Sequence, residues 1–262
     1  MSAVEAFEPL GARPAPVQPA ALRHASAGAH YPQRLARSVE LLRQAAAEHA
    51  GAVVQASSLG VEDMVLTDLI QRHGLDIRVA TLDTGALHLE TLELIARVRR
   101  HYGIDVEVLQ PSQEAVVAFV GRHGPDAMYR SVELRKACCA VRKLEPLGRM
   151  LDGRRAWITG LRREQSAQRE GVVEREVGAD GRVKFSPLAS WSLGEVWHYV
   201  AEHGVPYNPL HDRFYPSIGC APCTRAVSVG EDQRAGRWWW ELDGAKECGL
   251  HPEGRHVVGA KA

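Results

Sequence analysis

From about residue 32 the chain alternates between helical and strand-like hydrophobic patterns. The segments 31–50, 59–74, 88–103 and 112–124 carry apolar residues at the three- and four-residue spacing of a helix with one buried face. Short β-branched runs stand between and after them, in GAVVQASS, IRVATLDTG, IDVEVLQP and AWITGL. This alternation predicts an α/β fold with a mainly parallel sheet and helices on both faces.

The pattern also divides the chain into three parts. Residues 1–30 are rich in Ala and Pro and predict a flexible leader. An organelle transit peptide remains an alternative for it, although Glu5 and Glu8 argue against that. Residues 31–204 form the predicted α/β domain. Residues 205–262 change to turns, prolines, cysteines and tryptophans, and we expect this C-terminal segment to fold over the domain.

Composition limits the classes of function. The 32 basic and 32 acidic residues cancel, so the chain lacks the overall positive field of a nucleic-acid or membrane-surface binder. No apolar run reaches the roughly 20 residues that span a bilayer. The five cysteines are an odd number and two are adjacent, which is unsuited to a disulfide framework. We therefore expect a cytoplasmic protein without nucleic-acid or membrane partners.

Three polar stretches follow predicted strands, where α/β folds bind their ligands. SSLGVED presents hydroxyls and a free helix N-terminus, which suits a phosphate; an ordinary helix cap, with Asp63 in the first turn, is an equal alternative. LDTG follows the second strand. GLRREQSAQR holds Arg162, Arg163 and Arg169, which are either an oxyanion site or a solvated basic loop. Their shared position at one sheet edge favours the oxyanion site.

Four cysteines form two separated pairs, which indicates a metal centre. One pair is adjacent, Cys138 and Cys139, and the other is the C-x-x-C of Cys220 and Cys223. Adjacent thiolates reach one zinc ion awkwardly, whereas an iron-sulfur cubane offers each cysteine its own iron. Both metals remain open, with iron-sulfur favoured over zinc.

The fifth cysteine, Cys248, lies in the polar stretch KECGLH. Lys246 and His251 would favour its thiolate, which predicts a nucleophile on a mobile tail. An incidental surface thiol is the alternative. In the preceding stretch GRWWWE, the tryptophans predict an anchor for the tail, and Arg234 and Arg237 are candidates for anion contacts.

These motifs together resemble a known family. SSLGVEDMVL, LDTG, CCAVRKLEPL, ITGLRREQS, GCAPCTR, GRWWWE and KECGLH follow the order found in the iron-sulfur branch of the adenylyl-sulfate and phosphoadenylyl-sulfate reductases, and in its assimilatory adenylyl-sulfate reductases in particular. The resemblance covers roughly residues 40–251. It implies an adenine nucleotide alpha hydrolase-like fold, a 4Fe-4S cluster and a C-terminal tail that carries the catalytic cysteine.

The resemblance also implies roles for individual residues. The phosphate-side loop would be Ser57, Ser58, Gly60 and Asp63, and the residues near the adenosine would be Leu82, Thr84 and Gly85. Those around the phosphosulfate would be Lys143, Arg162, Arg169, Arg234, Arg237 and His251. The cluster ligands would be Cys138, Cys139, Cys220 and Cys223, with Cys248 as the catalytic residue.

The implied reaction is the reduction of adenosine 5'-phosphosulfate to sulfite and AMP in sulfate assimilation. It would proceed through an S-sulfocysteine at Cys248, with a thioredoxin-like reductant supplied in trans, and a homo-oligomer is possible. One alternative is a phosphoadenylyl-sulfate or dual-specificity reductase. Another is an ATP-dependent adenylating enzyme, but SSLGVED departs from the Ser-Gly-Gly-x-Asp-Ser loop of such enzymes. The last is a zinc-stabilised nucleotide-binding module without catalysis.

Overall fold

The computed structural model describes residues 19–241 of the chain. Its helices are α1 (Tyr31–Glu48), α2 (Val61–Arg72), α3 (Leu89–Tyr102), α4 (Gln113–His123), α5 (Val132–Cys139), α6 (Glu145–Leu151) and α7 (Leu193–His203). Its strands are β1 (Val53–Ser57), β2 (Arg78–Leu82), β3 (Val106–Leu109), β4 (Ala156–Ile158), β5 (Arg175–Val177) and β6 (Val183–Phe185). Short helical turns connect several of these elements.

The strands form one sheet in the order β3-β2-β1-β4-β6-β5. All neighbouring pairs are parallel except β5 with β6, which run antiparallel. The chain builds the sheet outward from β1 to β3 on one side and then returns to place β4 on the other side of β1. Diverging connections open a crevice beyond the carboxyl ends of β1 and β4, which is where such folds bind ligands.

Local sequence explains where the helices begin and end. Ser192 accepts a hydrogen bond from the backbone N–H of Glu195, and the Glu195 carboxylate accepts one from the N–H of Ser192. This reciprocal capping box starts α7. Gly103 and Gly204 end α3 and α7 in the left-handed conformation that glycine adopts without steric cost. The buried faces of α1, α2, α3 and α7 then pack with the sheet into one main core.

The structure adds elements that the hydrophobic pattern did not predict. Helices α5 and α6 are joined by a π-helical turn, Ala140–Leu144, so one continuous helical segment runs from Val132 to Leu151. The predicted leader also contains a helical turn, Ala21–His24, whose Ala21 N–H donates to the Asp212 carboxylate at 3.0 Å. Packing therefore begins before residue 30.

Among residues 19–241, none of the helices combines the length and the apolar character needed to cross a lipid bilayer.

Candidate active site

A cavity of about 230 Å³ lies beyond the carboxyl ends of β1, β2 and β4, and we call it the sheet-edge cavity. Part of its lining is apolar and part is cationic, and we call these parts the apolar wall and the cationic wall. The apolar wall consists of Ala56, Leu82, Leu147, Met150 and Trp157. The cationic wall consists of Lys143, Arg169, Arg234 and Arg237. A ligand that fits this cavity has an apolar or aromatic part and an anionic part.

The turn at the end of β1, residues 57–60, lines the cavity, and we call it the serine turn. Leu59 has a φ of 60°, a left-handed conformation that is uncommon for a non-glycine residue and characteristic of tightly determined turns. The Ser57 hydroxyl accepts from the Leu59 N–H at 3.1 Å, and the Ser58 hydroxyl accepts from the Gly60 N–H at 3.3 Å. Ser57, Ser58 and Gly60 all line the cavity, as the phosphate-loop interpretation requires.

Asp63 joins the serine turn to the loop after β4. One carboxylate oxygen accepts hydrogen bonds from the Ser58 N–H at 2.7 Å and the Ser58 hydroxyl at 2.6 Å. The other accepts from the Gly160 N–H at 2.9 Å. Burial raises the pKa of Asp63 to about 6, although these hydrogen bonds act in the opposite direction. Asp63 therefore shapes the cavity as well as lining it.

The LDTG stretch connects the cavity to the C-terminal segment. Leu82 and Thr84 line the cavity, whereas Gly85 lies beside it in a left-handed turn with a φ of 67°. The Thr84 hydroxyl lies 3.2 Å from the Cys220 sulfur. A backbone bridge pairs Leu87 with Cys220, and the Ala221 N–H donates to the Ala86 carbonyl at 2.8 Å. These contacts place the C-x-x-C turn against the cavity.

Arg237 occupies a tight position in the cationic wall. Its guanidinium donates to the Ser217 hydroxyl at 3.2 Å and to the Ile218 carbonyl at 3.4 Å. Its Nε is buried and has no hydrogen-bond partner among the described residues. A Cβ at Gly219 would overlap the Arg237 Nη2, so only glycine leaves room for the guanidinium in this position.

Arg162 lies elsewhere than the sequence predicted. Its side chain is 1% exposed and pairs with Glu62 at 2.9 Å and with Glu164 at 3.1 Å. Burial would raise the pKa of Glu62, but the Arg162 charge and the hydrogen bond from Gln165 outweigh burial and lower it. Arg162 thus keeps Glu62 ionised. Glu62 and Gln165 line the cavity, and Arg162 does not.

The sequence motifs did not predict several of the lining residues. The polar or aromatic ones include Glu62, Thr91, Trp157, Thr159, Gln165, His211, Ser217 and Gln233. Glu62 stands within the SSLGVED motif, and Gln165 stands within GLRREQS, so both could have been found from their neighbours. Trp157 and Thr159 stand in the predicted strand AWITGL, so their position could also have been found. His211 and Gln233 carry no local signal, because only the packing of distant segments brings them to the cavity.

The two cysteine pairs line a second cavity, which we call the cysteine cavity. Cys138 and Cys139 are the last two residues of α5. Cys220 precedes the short helical turn Ala221–Cys223, and Cys223 ends it. All four cysteines are 6–7% exposed. Burial raises the pKa of the Cys138 thiol, and it raises that of Cys223 to about 12. Burial thus favours the protonated form of the Cys138 and Cys223 thiols, whereas metal ligation requires thiolates.

The donor set of the cysteine cavity fits a thiolate-bound group. The indole Nε1 of Trp238 is buried without a hydrogen-bond partner among the described residues, and Trp238 lines this cavity. Arg142 and Lys143 line it as well and supply positive charge. Within residues 19–241, no three or more His, Cys, Asp or Glu side chains lie close enough together to bind a metal ion directly. The case for a bound metal centre in the cysteine cavity therefore depends on the four thiols and on the hydrogen-bond donors and cationic side chains around them.

The two cavities share a wall. Lys143, Cys220 and Trp238 line both of them. Lys143 is 9% exposed and lies in the π-helical turn, four residues after Cys139. A cation in this wall acts on charges in either cavity. Cys248 and His251, which the sequence assigns to the same site, lie outside the described residues.

A parallel sheet with a mixed apolar and cationic cavity at its diverging strands defines a nucleotide-binding α/β protein. The phosphoadenosine phosphosulfate reductase domain model matches residues 52–226, and the chain belongs to this family. The chain is 57% identical over 221 residues to the adenosine 5'-phosphosulfate reductase of Allochromatium vinosum, covering 84% of this chain and 86% of that protein. It is 55% identical over 197 residues to the Burkholderia cepacia protein of the same name, covering 75% and 79% respectively.

Solved structures support the predicted fold. The phosphoadenylyl-sulfate reductase of Candida auris, crystallised as a phosphate complex, matches with a TM-score of 0.60 and 25% identity, covering 78% of this chain and 98% of that one. Yeast FAD synthetase matches with a TM-score of 0.51 and 12% identity, covering 79% and 71%, a likeness in fold alone. The expected family and the α/β fold with a mainly parallel sheet are therefore confirmed.

Proposed function

We propose that this chain reduces adenosine 5'-phosphosulfate to sulfite and AMP in sulfate assimilation. The observation that carries the proposal is the shared wall, where a cationic nucleotide-sized cavity adjoins a cavity lined by four cysteines. The relatives named adenosine 5'-phosphosulfate reductase support the same reaction. The substrate combines an apolar base with a doubly anionic phosphosulfate, which matches the two walls of the sheet-edge cavity.

In the proposed complex, the base lies against the apolar wall near Leu82 and Trp157. The serine turn holds the phosphate through backbone N–H groups at the start of α2. Lys143, Arg169 and Arg237 surround the phosphosulfate, and their charges stabilise the AMP that leaves. Arg237 has unused donor capacity for this anion, because its Nε has no hydrogen-bond partner among residues 19–241.

The proposed chemistry uses the Cys248 thiolate as nucleophile. It attacks the sulfate sulfur, a sulfur–sulfur bond forms, and the bond from that sulfur to the phosphate oxygen breaks with release of AMP. A thioredoxin-like dithiol then attacks the Cys248 sulfur and releases sulfite, and its second thiol resolves the mixed disulfide. The dithiol supplies both electrons and becomes a disulfide, so the balance closes without another redox group.

We also propose that Cys138, Cys139, Cys220 and Cys223 hold a 4Fe-4S cluster in the cysteine cavity. A bound cluster would crosslink α5 to the C-x-x-C turn and place negative charge beside the shared wall. Lys143 would then be held between that charge and the phosphosulfate. The cationic side chain orients the anion; electron transfer is left to the dithiol.

The relatives named adenosine 5'-phosphosulfate reductase favour a substrate with a free 3'-hydroxyl. Reduction of phosphoadenylyl sulfate, the activity named for the Candida auris structure, is therefore the second candidate.

The direct test is the intact mass of the anaerobically purified protein after incubation with adenosine 5'-phosphosulfate without thiol. The protein should gain the mass of one sulfo group, and thioredoxin should remove it with release of sulfite. A parallel incubation with phosphoadenylyl sulfate should give the adduct more slowly. Zinc-containing protein that forms no adduct with either nucleotide would instead support a binding module without catalysis.

Replacing Gly219 with Ala tests the placement of Arg237. The new Cβ would overlap the guanidinium, which must shift away from Ser217 and Ile218. Because a displaced charge loses its aligned contact with the anion, we expect AMP affinity to fall about tenfold, which equals roughly 1.4 kcal/mol. Isothermal titration calorimetry with AMP measures this loss.

Gly148→Ala is the matched control. A Cβ at Gly148, in α6, meets nothing within 4 Å. Alanine in a helix interior is favoured over glycine by roughly 0.5–1 kcal/mol, so this variant should be at least as stable as the parent and bind AMP unchanged. Unchanged affinity in Gly219→Ala would remove Arg237 from the binding site.

A further inference from the structure

A stack of three side chains connects the two cavities. Two arginines lie over the Trp238 ring: the Arg135 guanidinium carbon is 4.5 Å from the indole centroid, and that of Arg237 is 4.7 Å from it. Trp238 is 1% exposed and has a φ of 43°, a conformation that persists only where neighbouring contacts determine it. A guanidinium group is attracted to the face of an indole ring. Both arginines therefore help to hold Trp238 in place.

Arg135 is the most constrained member of the stack. Its side chain is fully buried, and it forms two parallel hydrogen bonds of 2.8 Å with the Glu241 carboxylate, whose side chain is 3% exposed. Planar two-point contacts of this kind fix orientation as well as distance. A buried pair also loses much stability when one partner is removed, because the other charge stays buried. The pair thus fixes the chain at Glu241 against α5.

The stack reaches from one cavity to the other. Arg135 lines the cysteine cavity. It is not among the described residues that line the sheet-edge cavity. Arg237 lines the sheet-edge cavity, and its buried Nε has no hydrogen-bond partner among the described residues. Trp238 lines both. Trp238 therefore gives a direct route of contact from Arg135 to Arg237.

We propose that Arg135 is a positioning residue, which acts through Trp238 to hold the Arg237 guanidinium in place for the phosphosulfate. Glu241 completes the device by locking the orientation of Arg135. The inference rests on the proposed function, since it assigns Arg237 to the anion of adenosine 5'-phosphosulfate. The helix that carries the adjacent cysteines thus helps to organise substrate binding from outside the sheet-edge cavity.

The test is a double-mutant cycle on substrate affinity, measured by calorimetry in a Cys248→Ser background that cannot turn over. Arg135→Lys keeps the charge but loses the planar two-point contact, so adenosine 5'-phosphosulfate should bind about tenfold more weakly. In a background that also contains Arg237→Ala, Arg135→Lys should have no further effect. Additive losses, or unchanged affinity in the single variant, would overturn the proposal.

The Glu241→Gln variant tests the same proposal by weakening the contact that fixes Arg135. Glu241 stands outside the described linings of both cavities, so this variant leaves the cysteines and the ligand untouched. It should weaken substrate binding in the same direction with unchanged metal content per protein. An affinity loss that occurs only in variants that have lost metal would overturn the proposal. If Arg135→Lys does not fold, the cycle is run with Glu241→Gln.

Arg34→Lys is the matched control for burial of an ion pair. Arg34 bonds the fully buried Glu195 carboxylate at 2.7 Å, and neither residue lines either cavity in the described structure. Its melting temperature should fall while its affinity stays at the wild-type value. A parent Cys248→Ser protein that does not bind adenosine 5'-phosphosulfate would refute the proposed function, whereas a binding parent with additive cycles would refute only the role of Arg135.

Discussion

The Cys248→Ser variant is expected to form no covalent sulfo adduct and no sulfite. A serine hydroxyl stays protonated at neutral pH, and an oxygen adduct could not be reduced by a dithiol to release sulfite. Loss of a covalent nucleophile lowers turnover by at least about 10³-fold in enzymes that rely on one. Intact mass after incubation with adenosine 5'-phosphosulfate, and sulfite release with thioredoxin, measure the two steps separately.

The other four cysteines are poor substitutes for Cys248. They are 6–7% exposed, and burial raises the thiol pKa of Cys138 and Cys223. The variant should also keep its affinity for the nucleotide, which shows that the site itself is intact. A sulfo adduct in Cys248→Ser, mapped by peptide mass to one of the paired cysteines, would contradict the assigned nucleophile.

The Lys143→Ala variant is expected to slow formation of the sulfo adduct by about 10²-fold, the usual effect of removing one positioned charge from an active site. Lys143 lines both cavities, so its loss removes positive charge from the phosphosulfate side. Iron content should stay at the wild-type level, because Lys143 is not a thiolate ligand. Rapid quench followed by intact mass gives the rate, and elemental analysis gives the iron content.

Lys136→Ala is the control for Lys143. Lys136 lies in the same helical segment, before the adjacent cysteines, and its side chain is exposed and lines neither described cavity. It should react at the wild-type rate. A normal rate in Lys143→Ala would mean that the shared wall does not act on the substrate, and equal losses in both variants would indicate a general change in net charge.

The strongly periodic part of the fold could be predicted from the sequence. Strands β1 to β4 and helices α1 to α3 follow the hydrophobic pattern because they pack into buried cores. Helix α4 also follows the pattern, although none of its residues is buried. The hydrophobic pattern did not predict the α5–α6 segment, because many of its residues line the two cavities and do not pack in one continuous core. Strand β5 was missed because it is short and lies at the sheet edge, where burial leaves little pattern.

The candidate site divides in the same way. Residues in local motifs, such as Ser57, Ser58 and Thr84, lie where the motifs predicted, because a strand end and the following turn determine their position. Arg162 does not, because its ion pair with Glu62 depends on a partner 100 positions away. A run of arginines predicts a cationic region; which of them faces the ligand is decided by the carboxylates that the fold brings beside them.

The π-helical turn between α5 and α6 makes residue count part of the site. An α-helix turns about 100° per residue, and a π-helical turn absorbs the equivalent of one extra residue without breaking the helix. A chain one residue shorter at Ala140 could continue as a regular α-helix, yet Lys143 would rotate away from the wall that it now shares with Cys220. The number of residues between Cys139 and Lys143 therefore matters as much as their identity. A related chain that places Cys138, Cys139 and Lys143 in this geometry must also keep the spacing between them.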